Sequence, residues 1–153
     1  ITSSKLTALA LQDVALALRG QGPIRVPLVG LPGETALMTA PDAKPGYDAV
    51  LDSAGYDVPK DMAARVALDV LRARPGARAK EVQCPIYFAV CKTDSVAPAK
   101  ATLRHVEKAP RGEIKVYDTG HFDIYVDDEF EGVVADELAF LAKWVPVAPI
   151  SID

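Results

Sequence analysis

The second half of the chain alternates between continuous apolar runs and segments in which apolar and polar residues mix. The run "PIYFAVC" at 85–91 is apolar throughout and is closed by the polar residues "KTD". Such a run is typical of a parallel strand that is buried on both faces. The segment "EIKVYD" at 113–118 predicts a second strand, and residues 98–108 predict a helix between the two strands.

A last helix is predicted after the second strand, with Asp127 or Asp128 as its N-cap. Its apolar positions are Phe130, Val134, Leu138, Leu141 and Val145. The order strand, helix, strand, helix is typical of an α/β fold in which parallel strands are joined by crossover helices.

Two residues with catalytic chemistry follow these strands. Asp94 comes after the first strand and His121 after the second, and His121 is one of only 2 histidines in the chain. Catalytic groups of open α/β sheets lie beyond the carboxyl ends of the strands. Because a right-handed crossover makes the two strands neighbours or near neighbours, we expect the two side chains to approach each other at one edge of the sheet.

The first half of the chain combines an amphipathic helix with a long segment rich in proline. Ser3 or Ser4 can cap the helix, and its apolar positions are Leu6, Leu9, Val14 and Leu18. Prolines at 23, 27, 32, 41 and 45 indicate that long regular elements are absent between residues 21 and 57. A loop of this length is typically functional, as a lid is, or indicates that part of the domain is missing. A second helix is predicted to begin at Pro59 and to end at "RPG". Its apolar face would consist of Met62, Val66, Val70 and Leu71.

Composition and charge exclude several kinds of partner. The 153 residues fit a single domain, and 17 basic against 21 acidic residues give a net charge of -4. No basic stripe is present to follow a phosphate backbone, so we expect no nucleic acid partner. No apolar run reaches the roughly 20 residues of a membrane-spanning helix, and we expect a cytoplasmic protein with no membrane partner.

The cysteines and histidines predict neither a disulfide nor a metal site. Cys84 and Cys91 flank the first strand and should stand roughly 23 Å apart, whereas a disulfide needs Cα atoms within about 7 Å. We interpret both as small, buried apolar residues. The spacing of the histidines and cysteines matches no zinc motif, and no metal or cofactor is expected.

Two segments resemble the C-terminal part of the α/β-hydrolase superfamily. "CPIYFAVCKTDSVAP" resembles its segment with the strand and the catalytic acid. "KVYDTGHFDIYVDDEFEGVVADELAFL" resembles its last strand, Gly-His turn and C-terminal helix, so the resemblance covers Val82 to Trp144. An acid followed by a histidine is also the order of the last two members of the Ser, Asp, His triad in that fold. "VGLPGETALMTAPDAKPGY" is similar to the cap segment of some bacterial members.

The resemblance implies that Asp94 is the catalytic acid and His121 the base, but it identifies no nucleophile. The nucleophile elbow of this fold has the form G-x-S-x-G. Ser53 in "LDSAG" has the trailing glycine, but Leu51 stands where the first glycine belongs. The resemblance therefore implies the C-terminal part of a larger α/β-hydrolase, with its nucleophile upstream of Ile1.

These inferences predict an organisation and a function. We expect a helical, cap-like segment at 1–80, a hydrolase core at 81–145 and a tail at 146–153. In full-length form the protein is expected to hydrolyse a small ester-like substrate, a thioester or an amide, whereas this chain alone is expected to be inactive. Without upstream neighbours, the strand at 86–91 exposes an edge, and a homo-oligomer is expected to form through that edge.

Structural rather than catalytic interpretations of the same residues lead to a different function. In a non-catalytic α/β interaction module, Asp94 and His121 would be structural, and His121 would bond to a backbone carbonyl. Asp123 is interpreted as a capping or turn-stabilising carboxylate rather than a general acid. His105 is interpreted as a solvated surface residue, and "GLPG" at 30–33 as a turn, because it lacks the phosphate-loop pattern.

Overall fold

The structure is a computed structural model that describes residues 4–55 and 58–145. These residues form two compact units, the first up to Pro75 and the second from Gly76 on, rather than the single unit that the chain length indicated. Ser3 as a helix cap and the tail at 146–153 lie outside the described residues. The assignment of a cap-like segment and a hydrolase core to the two parts of the chain stays a prediction.

The first unit contains helices and a two-stranded antiparallel sheet. Helix α1 spans Ser4–Ala17, strand β1 Arg25–Pro27, helix α2 Ala43–Ala54, strand β2 Asp61–Ala63 and helix α3 Val66–Arg72. Strands β1 and β2 pair with Arg25 opposite Ala63. The buried core consists of Leu6, Ala10, Val26, Ala64 and Ala67, so α1, β1 and α3 all contribute to it.

The prediction of a helix that begins at Pro59 is wrong for the first part of that segment. Strand β2 occupies that part, and α3 begins only at Val66. The backbone there bonds to the chain near β1, since the N–H of Ala64 donates to the C=O of Ile24 over 2.8 Å. Pairing with a distant strand therefore outweighs the local helical pattern.

The proline-rich segment contains a regular helix, which corrects the prediction that long elements are absent there. Helix α2 has 12 residues and begins at Ala43. Pro45 lies in its first turn, where backbone N–H groups have no partner within the helix. The N–H that proline lacks therefore costs the helix no hydrogen bond. The helix ends at Gly55, whose φ of 67° is left-handed and whose N–H donates to the C=O of Leu51.

The "GLPG" segment forms the predicted turn. The N–H of Glu34 donates to the C=O of Leu31 over 3.0 Å, and the N–H of Leu31 donates to Glu34 Oε2 over 2.7 Å. The Glu34 side chain thus closes the turn. A Cβ at Gly30 would lie 2.9 Å from the Cβ of Ala36, so a larger residue does not fit at position 30.

Asp13 is a buried carboxylate that joins three parts of the first unit. Its exposed fraction is 0%. Oδ1 accepts the N–H of Ile24 over 2.8 Å, and Oδ2 accepts the N–H of Arg65 over 2.9 Å with Arg65 Nε at 3.4 Å. Burial alone raises the pKa of this carboxyl, but the two backbone hydrogen bonds and the Arg65 charge outweigh burial and hold the pKa below its usual value. Asp13 therefore ties α1 to the chain before β1 and to the chain before α3.

The second unit is built on a parallel pair of strands. After a 3₁₀ helix at Pro75–Glu81 come strand β3 at Ile86–Cys91, helix α4 at Ala99–Val106, strand β4 at Gly112–Tyr117, a 3₁₀ helix at Asp123–Tyr125 and helix α5 at Asp127–Trp144. Strands β3 and β4 are parallel, with Ile86 opposite Gly112 and Cys91 opposite Tyr117. The predicted order of strand, helix, strand, helix and the parallel pairing are confirmed.

Neither of the aspartates predicted to cap α5 does so. The N-cap is Val126, in an extended conformation and without a side-chain cap hydrogen bond. Its carbonyl accepts the N–H of Phe130 over 3.1 Å, so the chain that leaves the preceding 3₁₀ helix starts α5 one residue earlier than expected. Asp127, Asp128 and Glu129 lie in the first turn instead, where negative charge interacts favourably with the helix dipole.

Polar side chains fix α5 to the sheet. Asp136 on α5 accepts the hydroxyl of Tyr117 over 2.8 Å and forms an ion pair with Lys115. The Tyr117 hydroxyl also lies 2.6 Å from that of Tyr87. Burial, the hydrogen bond with Tyr87 and the hydrogen bond with Asp136 raise the pKa of Tyr117, so its hydroxyl stays protonated. These contacts hold α5 in one register against β3 and β4.

The strands of this unit are less buried than their pattern predicts. Within β3, Val90 and Cys91 are buried and the other residues are half-buried. On β4, Ile114 is 37% exposed and Val116 47% exposed. The prediction of complete burial on both faces is therefore wrong. In the described sheet β3 also has β4 as its one neighbouring strand. Cys84 is also exposed, since it precedes β3, so only one of the two cysteines is buried as predicted.

The apolar face of α5 is only partly covered. Of its predicted apolar positions, Phe130, Leu138, Leu141 and Val145 are exposed. Val133 is buried and packs in a cluster with Cys91 and Ile124. In the part of the chain that the structure describes, no helix has the length and hydropathy needed to cross a membrane.

Candidate active site

The loops after β3 and β4 are held side by side by the backbone. The N–H of Thr93 donates to the C=O of Thr119 over 3.2 Å, which continues the parallel pairing beyond the two strands. Asp94 follows Thr93 directly, and His121 lies two residues after Thr119. The pairing therefore places Asp94 and His121 on adjacent loops at the carboxyl edge of the sheet, as predicted.

Asp94 and His121 form a hydrogen-bonded pair. The distance from His121 Nδ1 to Asp94 Oδ2 is 2.8 Å. This distance lies within the range of about 2.6–3.2 Å expected for such a pair. The Asp94 side chain is 8% exposed and that of His121 is 28% exposed, so the ring reaches solvent while its partner is largely covered. The structure thus brings together the two residues that the sequence singled out.

The two oxygens of Asp94 have separate partners. Oδ1 accepts the N–H of Val96 over 2.8 Å and the N–H of Ala97 over 2.6 Å, whereas Oδ2 faces the imidazole. A carboxylate has only acceptors, so Nδ1 of a neutral His121 must be the donor and carry the proton. Nε2 is then unprotonated. This is the tautomer that a general base needs.

Asp123 bonds to the turn that carries the histidine. Its Oδ2 accepts the N–H of Gly120 over 2.7 Å and the hydroxyl of Thr119 over 3.0 Å. The interpretation of Asp123 as a turn-stabilising carboxylate is confirmed. Thr119 and Gly120 were missed as parts of the site. The available signal was the spacing of "TGHFD", with an acceptor side chain three residues after a glycine.

A cavity of about 180 Å³ lies beside the pair. Its apolar lining includes Ala89, Val90 and Ile124, and its polar lining includes Thr102 and Tyr125. Such a mixture is typical of a site for a small organic molecule, in which apolar surface provides most of the contact area and a few polar groups fix the orientation.

Cys91 also lines this cavity, but its thiol is a weak candidate for a nucleophile. Burial raises the pKa of Cys91, and the charges of Asp94 and Asp123 raise it further. A reactive cysteine needs the opposite environment, one that stabilises the thiolate. The thiol of Cys91 is therefore expected to stay protonated and unreactive.

Other candidate side chains lie outside the pair. His105 is exposed on α4 and packs against Gly76, as expected for a surface residue. Ser53 lies inside α2, which is not the strand-to-helix turn of an elbow. Ser95 lies between β3 and α4 but has Asp94 and Val96 beside it and no flanking glycine. Neither serine therefore forms a nucleophile elbow.

Comparison with known proteins identifies the fold. No family model matches the chain. The chain superposes with the α/β hydrolase GrgF from Penicillium sp. sh18 at a TM-score of 0.69 and 19% identity, over 94% of this chain and 50% of the hydrolase. The chain has part of an α/β-hydrolase fold. DcsB in complex with its substrate analogue is similar to the same extent, at a TM-score of 0.71 and 19% identity over 95% of this chain and 51% of DcsB. The resemblance and the α/β fold class predicted from the sequence are thus confirmed.

A relative of known sequence is closer to the chain than these hydrolase structures. It is the quorum-quenching protein AidA of Acinetobacter baumannii (strain MDR-ZJ06), 50% identical over 147 residues. The match covers 96% of this chain and 48% of the relative. The chain therefore spans about half the length of the proteins that it matches.

Proposed function

We propose that the chain supplies the acid and the base of an α/β-hydrolase whose full-length form, called the parent below, hydrolyses an ester, thioester or amide. The observation that carries this proposal is the 2.8 Å hydrogen bond between His121 Nδ1 and Asp94 Oδ2 at the carboxyl edge of the parallel strands. In an α/β-hydrolase, the acid and the histidine occupy this edge in this chain order. The nucleophile would come from a part of the parent outside this chain.

His121 would move the proton in both halves of the reaction. As the nucleophile attacks the substrate carbonyl, Nε2 takes its proton, and Nε2 then returns this proton to the leaving group. In the second half, Nε2 takes a proton from water, which attacks the acyl-enzyme, and returns it to the nucleophile as the acid product leaves. The imidazolium that forms at each step is stabilised by the negative charge of Asp94.

The loop around Asp94 suits it to this role. Its Oδ1 is held by the amides of Val96 and Ala97, which prevents the carboxylate from rotating away from the ring. The acid is therefore preorganised and has little to reorient when charge develops on His121.

The similarity to AidA is our basis for proposing a substrate class for the parent. That relative is a quorum-quenching protein, and its match at 50% identity extends over 96% of this chain. We propose bacterial quorum-sensing signals with an ester or amide bond as the substrates of the parent. The cavity beside His121 offers apolar surface and a few polar groups for contact with part of such a molecule.

Hydrolysis of an activated acetate ester tests the proposed function. The parent is expected to hydrolyse the ester, and the pure 153-residue chain is expected to show no hydrolysis above that of its own His121→Ala variant. Activity of the chain above this control would place the nucleophile within the chain. A parent that hydrolyses neither this ester nor a panel of quorum-sensing signals would favour the non-catalytic interaction module.

The partly covered sheet supports a second proposal, that the chain alone self-associates through the free edge of β3. In the described sheet β3 pairs only with β4, and β4 itself carries exposed apolar residues such as Val116. Unpaired strand edges and apolar patches favour association. Sedimentation velocity should show a species larger than the monomer that Val116→Lys weakens, with Leu18→Lys on the first unit as a control. A monomer at every accessible concentration would contradict the proposal.

A further inference from the structure

Asp123 closes a small ring of chain around His121. Its Oδ2 accepts the N–H of Gly120 over 2.7 Å, and this hydrogen bond spans the backbone of residues 120 to 123. His121 lies inside that span. The hydrogen bond therefore restricts the φ and ψ angles from which the imidazole projects, while the ring itself bonds to Asp94.

The same ring of chain is tied to the loop of the acid. Thr119 is 8% exposed and donates its hydroxyl to Asp123 over 3.0 Å. The carbonyl of Thr119 accepts the N–H of Thr93, the residue before Asp94, over 3.2 Å. Thr119 thus connects the Asp123 carboxylate to the Asp94 loop. Loss of this carboxylate is expected to loosen the histidine turn relative to Asp94.

The space at Gly120 shows how closely the carboxylate of Asp123 fits against the turn. A Cβ at position 120 would lie 2.8 Å from Asp123 Oδ2 and 3.6 Å from its Cγ. A larger residue at 120 therefore displaces the carboxylate to which the N–H of that residue must donate. Gly120→Ala is thus a second way to open the ring without removing Asp123.

We propose that Asp123 is a positioning residue for His121, which holds the imidazole against Asp94 by closing the turn from Thr119 to Asp123. It acts through the backbone and not on a reacting atom. Both of its donors are neutral, so the turn requires an acceptor oxygen rather than a negative charge. The consequence for catalysis rests on the proposed function, whereas the consequence for the geometry of His121 does not.

Nitrogen-15 NMR of His121 in the 153-residue chain tests the proposal without any substrate. Asp123→Ala removes the acceptor and should speed exchange of the His121 Nδ1–H with solvent by about tenfold or more, the scale of a lost hydrogen bond. Asp123→Asn retains an acceptor oxygen and should restore slow exchange. Asp128→Ala removes an exposed carboxylate from the first turn of α5 and serves as the matched control.

Two results would overturn the proposal. One is unchanged exchange of the Nδ1–H in Asp123→Ala, and the other is equal acceleration in Asp123→Ala and Asp123→Asn, which would indicate an effect of charge. Circular dichroism checks that each variant folds. If Asp123→Ala fails to fold, Gly120→Ala provides the perturbation, and the same acceleration is expected.

Kinetics of the parent add a readout for catalysis. Asp123→Ala should lower kcat by about tenfold to a hundredfold, the cost of a misplaced catalytic group, with KM little changed. Asp123→Asn should recover most of this loss. If the parent proves active without His121, the proposed function fails, but the exchange measurements on His121 still decide the role of Asp123.

Discussion

Replacement of Asp94 by asparagine should change the tautomer of His121 and leave the loop intact. The amide oxygen of the new residue can still accept the N–H groups of Val96 and Ala97, which Asp94 Oδ1 accepts now. The reverse orientation would set the amide NH₂ against these two donors and is disfavoured. The NH₂ group must therefore face His121 Nδ1 and donate to it. Nδ1 becomes the acceptor, and the proton moves to Nε2.

A proton on Nε2 removes the general base. His121 can then no longer take the proton of a nucleophile, and the stabilisation of the imidazolium by a carboxylate is also lost. We expect kcat of the parent to fall by up to about 10⁴-fold, which corresponds to about 5.4 kcal/mol of activation free energy. Folding should change little, since the two loop hydrogen bonds are retained.

Two assays separate the chemical effect from a structural one. Steady-state hydrolysis of an activated ester by the parent measures kcat, and nitrogen-15 NMR of the 153-residue chain identifies which nitrogen of His121 is protonated. Asp123→Asn is the matched control, because it makes the same chemical change in a carboxylate that bonds only to neutral donors of the turn. A kcat for Asp94→Asn within tenfold of the wild type, or Nδ1 still protonated in that variant, would show that the Asp94 carboxylate does not set the catalytic tautomer of His121.

Two further predictions concern the buried carboxylate and the cysteines. Asp13→Asn should lower the melting temperature by several degrees. The two oxygens of Asp13 accept the N–H groups of Ile24 and Arg65, whereas an asparagine offers one oxygen and an NH₂ group, which cannot accept the second N–H. Since the folded pKa of Asp13 lies below its unfolded value, its carboxylate stabilises the first unit above the unfolded pKa, and this stability is lost as pH falls through the folded pKa. Melting curves from pH 7 to pH 2 should therefore show a weaker acid dependence in Asp13→Asn, and an unchanged dependence would contradict the assignment. The exposed Cys84 should react with a thiol reagent about a hundredfold faster than Cys91, which is buried and has a raised pKa. Equal rates would show that the end of β3 that contains Cys91 unfolds readily.

The α/β pattern and the candidate pair were predictable because both depend on local sequence. The uninterrupted apolar run of β3 and the short run of β4 each mark a strand, and the residues that follow strands in an α/β sheet meet at one edge. Asp94 and His121 could therefore be paired although 27 residues separate them. The turn function of Asp123 was predictable for the same reason, since its partners lie three and four residues away.

The features that the sequence did not predict depend on distant partners. Strand β2 forms where a helix was expected because it pairs with β1, which lies much earlier in the sequence. Arg25 of β1 and Asp61 of β2 are 36 residues apart along the chain. Asp13 interrupts an apolar helix and looks like a surface residue, yet its backbone partners are 11 and 52 residues away. The complete burial predicted for β3 requires other elements that cover both faces of the strand. Periodicity shows that a residue is apolar but does not show whether anything covers it.

Substitution of each of the two histidines tests whether His121 is the general base of the parent. His121→Ala should lower kcat/KM for an activated ester by about 10⁴-fold or more, because loss of the base disables the whole triad. His105→Ala replaces the exposed histidine of α4 and should leave kcat/KM within about twofold, since surface substitutions away from a site have small effects. Activity of His121→Ala comparable to that of His105→Ala would show that His121 is not the general base.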